Sequence, residues 1–149
     1  RVFSFIRTNC SNKISKPNKL SPNDKKLINE TSKLTKILRE EMSNQNLNNY
    51  IKSVVNISFL TNKYINDEEP WKLKKIDINK MNGILHVALE QIVKISILLN
   101  PIIPNSTSKV LKAIGIKNDL VDLSFLDGKK ILNDKVNIKD LDILFKKIL

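Results

Sequence analysis

Ile84-Leu-His-Val-Ala-Leu-Glu-Gln-Ile-Val-Lys-Ile-Ser-Ile-Leu-Leu99 is the most apolar stretch of this 149-residue chain. Asp77 is placed to cap a helix that carries Ile84, Leu85, Ala88, Leu89, Ile92, Val93, Ile95, Ile97, Leu98 and Leu99, and its second half has little polar face left. A helix apolar on nearly every side must be surrounded, so the rest of the chain should wrap around it. His86, Glu90, Gln91 and Lys94 break the run before the roughly 18 consecutive apolar residues of a membrane span. The expectation is a soluble protein with this helix deepest and no membrane partner.

On either side lie narrower amphipathic patterns. Upstream, Ser21-Pro22-Asn23-Asp24 supplies an N-cap, a proline at N1 and an acid at N3, opening a helix striped by Leu27, Thr31, Leu34, Leu38 and Met42. After Ser43–Asn46, a third helix shows Leu47, Tyr50, Ile51, Val54, Val55, Ser58, Phe59, Asn62 and Ile65 on one broad face and must stop near Asp67, before Pro70. Val2, Phe3, Ile6 and Cys10 recur at helical spacing before a polar loop over residues 12–20. Nothing ahead of Arg1 caps that first helix and the chain lacks an initiator methionine, so it reads as a piece of something longer whose first helix enters from upstream.

Downstream, Asn100-Pro-Ile-Ile-Pro104-Asn105 breaks the deep helix, and Asn105 or Ser106 can cap a fifth one carrying Val110, Leu111 and Ile114, with Gly115 at its C-cap. Residues 116–149 look irregular, with a turn at Asp127-Gly128 and a final apolar piece, Leu141–Leu149, folding back on the rest. The expected architecture is therefore all-α: one domain over residues 1–149, an antiparallel bundle of about five helices with an irregular C-terminal tail.

Composition narrows the function classes. Three glycines cannot furnish a many-turned β-sandwich or a glycine-rich phosphate loop, and one cysteine with one histidine cannot hold a structural zinc, so no metal ligands are expected. Catalysis needs convergent reactive groups; Cys10 and His86 stand alone, and no catalytic residues are expected in this piece. The net charge of +11 favours an anionic partner, although Lys, Ile and Asn fill 63 of 149 positions, as A/T-rich codons alone would produce. Its distribution is more telling, with nine basic and two acidic groups in residues 1–36.

Trp71 is the sole tryptophan among eight aromatic residues, and it follows a helix-ending proline and precedes Lys72, Lys74 and Lys75. Such an indole fits two roles: a plug over the bundle's end, or a face for an unpaired base whose flanking phosphates the lysines hold.

Asn62-Lys-Tyr64-Ile-Asn-Asp-Glu-Glu-Pro70-Trp71-Lys-Leu-Lys-Lys75 resembles the Asn-x-Tyr…Glu-x-Pro-Trp-x-Leu-x-Lys signature of methionyl-tRNA synthetases. Leu99-Asn-Pro101-Ile-Ile-Pro104 is similar to that family's Leu-x-Pro-x-x-Pro, and Leu144-Phe145-Lys-Lys-Ile148 to its Leu-Phe-Pro-Arg-Ile without the proline. The resemblance implies a helical anticodon-binding domain that reads the CAU anticodon of the methionine tRNA, with Trp71, behind Pro70, against the splayed first anticodon base. It aligns Arg1 with the arginine of an Asn-x-x-x-Arg pair that hydrogen-bonds anticodon bases. Lys72 and Lys75 become phosphate contacts, and Asn62 and Tyr64 supports beneath Trp71. No cofactor is expected in this fragment; ATP and Mg²⁺ belong to the intact cytoplasmic enzyme, whose catalytic domain lies upstream. A helical protein-protein adaptor and a stand-alone RNA-binding bundle are the alternatives.

Overall fold

The computed structural model describes residues 1–116 and 132–145. Five helices of two turns or more carry it: α1 (Val2–Cys10), α2 (Pro22–Ser43), α3 (Leu47–Glu68), α5 (Ile78–Leu99) and α6 (Pro104–Ile114), with a single turn, α4 (Pro70–Leu73), between α3 and α5. Two three-residue strands, β1 (Lys13–Ser15) and β2 (Lys135–Asn137), pair antiparallel, with Ile14 opposite Val136. The mostly helical bundle expected from the apolar stripes is what forms.

α5 is the hub. It touches α1, α2, α3, α4, α6 and β1, and Ile84, Leu85, Val87, Ala88, Leu89, Val93, Ile97 and Leu98 are all buried along it. By length and composition it could cross a membrane, with a mean hydropathy of 1.4 over its best window, but 67% of that window is buried inside the bundle, as befits a central core helix. Asp77 opens α5 as read from the sequence, its side chain accepting the Lys80 N–H at 2.9 Å. One side of α5 meets Ile6, Ile14, Val110, Leu111, Ile114, Val136 and Ile138. Its other side meets α2 and α3, through Leu38, Tyr50, Val54 and Ile57 near its C-terminal end and through Leu27 and Tyr64 near its start.

The start of α2 is a complete capping box. The Ser21 side chain accepts the Asp24 N–H at 3.1 Å, and Asp24 accepts the Ser21 N–H at 2.8 Å. The second oxygen of the buried Asp24 accepts the Tyr64 hydroxyl at 2.6 Å, so the cap of one helix is bolted to the last turns of its neighbour.

Several expectations need correction. Burial on α3 repeats through Tyr50, Val54, Ile57, Thr61 and Tyr64, whereas Leu47, Val55 and Phe59 are exposed. The buried face is rotated from the one drawn through the largest apolar residues, because a threonine bonded to its own helix packs as well as a small aliphatic; the Thr61 hydroxyl donates to the Ile57 carbonyl at 2.8 Å. Met42, in the last turn of α2, is exposed. The polar loop over 12–20 contains β1, and the tail is not irregular throughout, since β2 lies in it. The N-cap of α6 is Ile103, two residues before Asn105 and three before Ser106, because Pro104 is preorganised for N1. The Asp127-Gly128 turn and residues 146–149 lie outside the described residues, but Leu141 and Leu144 do fold back onto the core.

Candidate nucleic-acid interface

Pro70 decides the local path. It cannot continue α3, so Glu69 leaves the right-handed region for φ 45°, ψ 56° and serves at once as C-cap of α3 and N-cap of α4. A left-handed glutamate is strained, and the surroundings hold it: its N–H donates to the Ile65 carbonyl at 3.1 Å, its carbonyl accepts from Lys72 at 2.9 Å, and Pro70 itself is buried. The reversal turns the following residue outward. Trp71 is 47% exposed, standing on a helical turn rather than on an open connection as the sequence suggested.

The base under that turn is braced by Glu68. One oxygen accepts from Asn23 at the start of α2 at 2.6 Å, and the other lies 3.8 Å from the ammonium of Lys80 in α5. Tyr64 belongs to the same end through Asp24 and packs in the cluster that Leu73 of α4 joins. Burial first, then the hydrogen bond to Asp24, pushes its phenol well above the ordinary range, so it remains a donor.

Trp71 and Pro70 form one wall of a cleft of about 730 Å³, within the usual range for ligand sites. α1 supplies Arg1, Ser4, Phe5, Thr8 and Asn9, α3 supplies Asn62, Ile65 and Asn66, and Leu85 of α5 closes the bottom. No carboxylate lines it. The lining combines an indole, five further apolar side chains (Val2, Phe5, Ile65, Pro70 and Leu85), three amides, two hydroxyls and one guanidinium. Such a cleft can take a flat, unsaturated, hydrogen-bonding ring system and tolerates negative charge nearby.

Arg1, Pro70, Trp71 and Asn62 are thus brought together. Asn62 is an exposed wall residue rather than a support beneath the indole, because it lies outside the buried face of α3, whereas Tyr64 is buried. Lys72 is not a bare charge: its ammonium pairs with Glu69 at 2.8 Å. Lys75 is exposed at the end of the turn. Lys74 approaches α1 closely enough to lower the thiol pKa of Cys10 in part, against the larger upward push of burial.

Sequence reasoning missed Ser4, Thr8 and Asn9 on α1 and Asn66 on α3. Ser4 with Thr8, and Asn62 with Asn66, recur at i, i+4, the spacing that places two side chains on one helix face. His86 is fully buried, with Nε2 donating to the Asn133 carbonyl at 3.1 Å, and plays a structural part. Among the described residues no group of three or more His, Cys, Asp or Glu side chains could hold a metal ion.

The fold and the cleft together define a helical bundle with a notch between its first, third and fourth helices. Residues 14–149 match the family model described as the anticodon binding domain of methionyl tRNA ligase, and the chain belongs to that family. A methionine–tRNA ligase of Rhizobium meliloti is 30% identical over 126 residues, covering 85% of this chain and 24% of the relative. One of Sulfurisphaera tokodaii is 27% identical over 150 residues, covering 99% of this chain and 26% of the relative. The chain therefore spans about a quarter of the length of these relatives. The apo form of Mycobacterium tuberculosis methionyl-tRNA synthetase has the same fold, with a TM-score of 0.90 at 19% identity over all of this chain and 30% of that one.

Proposed function

We propose that this chain is the part of a methionyl-tRNA synthetase that reads the CAU anticodon of its tRNA. The observation that carries the proposal is the half-exposed indole of Trp71 on the wall of a carboxylate-free cleft rich in amides. A splayed base stacks on that ring, and the first anticodon base is the one assigned to it by the resemblance of Pro70-Trp71 to the family signature. Stacking alone would accept any base. Selection among bases needs hydrogen bonds to their edges, and Arg1, together with the amides and hydroxyls of the cleft, supplies donors and acceptors for them.

Lys75 is placed to meet a phosphate beside the stacked base. Lys72 does so less, because Glu69 already neutralises it. In the intact cytoplasmic enzyme an upstream catalytic domain would use ATP and Mg²⁺ to activate methionine, while this bundle selects and orients the tRNA. A stand-alone RNA binder would use the same cleft. A protein adaptor would have little need of a cleft lined by so many amides.

The test uses the lone tryptophan as its own reporter. A stem-loop bearing CAU should quench Trp71 fluorescence at lower concentration than the same stem-loop with the triplet scrambled. Indistinguishable titrations would defeat the proposal.

A further inference from the structure

We propose that the C-terminal segment 132–145 is a positioning strap for RNA recognition: it holds α1 against the bundle and so sets one wall of the cleft without itself reaching the ligand. The inference rests on the anticodon reading above and adds a region to which that reading assigns nothing.

α1 supplies Arg1, Ser4, Thr8 and Asn9 to the cleft, and its place against the bundle is set by what it packs on. Its last turn runs into two consecutive left-handed residues, Ser11 at φ 51° and Asn12 at φ 64°, and from there directly into β1. Its position is therefore dictated by whatever holds β1 and by whatever packs on its inner face.

Both are the strap. β2 pairs with β1, the Ile138 N–H donates to the Asn12 carbonyl at 2.9 Å, and the Lys16 N–H donates to the Asp134 carbonyl at 2.7 Å. The Lys139 N–H donates to the Ala113 carbonyl at 2.7 Å, tying the same segment to α6. Val136 and Ile138 are buried in the cluster that holds Ile6 of α1, and Asp140 pairs with Arg7 at 3.5 Å on the surface. None of the described residues of the strap lines the cleft. The side of the cleft made by α3 and α4 is braced independently through Glu68 and Tyr64, so loosening the strap should displace one wall and leave Trp71 in place.

The strap and the ligand are then thermodynamically linked. RNA that needs α1 in place stabilises every contact that keeps it there, including amides that RNA never touches. In hydrogen exchange on the unaltered 149-residue chain, a saturating CAU stem-loop should slow the amides of Lys16, Ile138 and Lys139 by about tenfold or more, while the scrambled loop should leave them nearly unchanged. In the double variant Val136→Ser, Ile138→Ser, preference for CAU over the scrambled loop should fall by at least about tenfold, with affinity for the scrambled loop held within about threefold by the lysines. A folded double variant that keeps its preference would overturn the strap, and so would a wild-type chain that discriminates between loops without slowing those amides. If the double variant unfolds, the exchange measurement decides alone. Equal binding of both loops by the unaltered chain sinks the anticodon reading itself, and the strap's role in recognition goes with it.

Discussion

Trp71→Ala separates the two roles open to the indole. A tryptophan side chain buries on the order of 150–250 Å² when fully enclosed, and with the residue 47% exposed about half of that is withdrawn from water here. At about 25 cal/mol per Å², truncation should cost at most about 3 kcal/mol of folding stability, within the reserve of a chain this size. Loss of a base-stacking platform costs about 1–3 kcal/mol of binding, which is a weakening of about 5- to 150-fold for the CAU stem-loop. The assay is fluorescence anisotropy of a labelled stem-loop, paired with urea unfolding followed by circular dichroism. Trp71→Phe should recover part of the affinity, since a smaller ring still stacks. The reasoning fails if Trp71→Ala unfolds the chain with a loss well above about 3 kcal/mol, or if it stays folded and binds CAU as before.

Three further outcomes follow from the same coordinates. Tyr64 keeps its proton in the folded state while the unfolded chain releases it above its ordinary value of 10.0, so stability should fall as pH rises beyond that value, by about 1.4 kcal/mol per pH unit for this group. Burial raises Tyr50 in the same direction and lowers Lys94, which acts oppositely; the readout is therefore the difference between wild type and Tyr64→Phe in urea unfolding from pH 9 to 11, and parallel curves would contradict it. A Cβ on Gly83 would lie 2.8 Å from Cβ of Pro17, a rigid ring that cannot turn aside, so Gly83→Ala should lose about 1 kcal/mol despite alanine's better helix propensity, and a rise in the urea midpoint would refute the contact. Lys75→Ala should weaken both stem-loops alike and reduce the slope of log affinity against log salt by about 0.7, whereas Lys72→Ala should do less because its charge is already paired with Glu69; equal slopes in the two variants would show that the pair does not matter.

What was legible in the sequence were the features that residues carry by themselves. The period of α5, the capping box at Ser21 and the stop at Pro70 are local, and each falls where its residues placed it. β1 and β2 were not legible, because three residues give no measurable alternation and their partners lie more than a hundred positions apart. The rotation of α3 was hidden because Thr61 packs as an apolar residue while Phe59 does not. In the site, Trp71 announced itself by rarity and by the proline before it. Thr8, Asn9 and Asn66 did not, since an amide on a helix has no meaning until the neighbouring helix is in place to form the opposite wall.

The pairing of β1 with β2 also bears on how the molecule comes into being. During synthesis the three long helices can collapse on one another as soon as α5 has emerged, since their contacts join neighbours in the chain. α1 can join α5 at that stage, but β1 has no strand partner until Lys135–Asn137 has been made. The first strand to be made is thus the last to be paired, and a chain cut short before residue 135 would carry Trp71 on its turn while β1 is left as a bare strand edge.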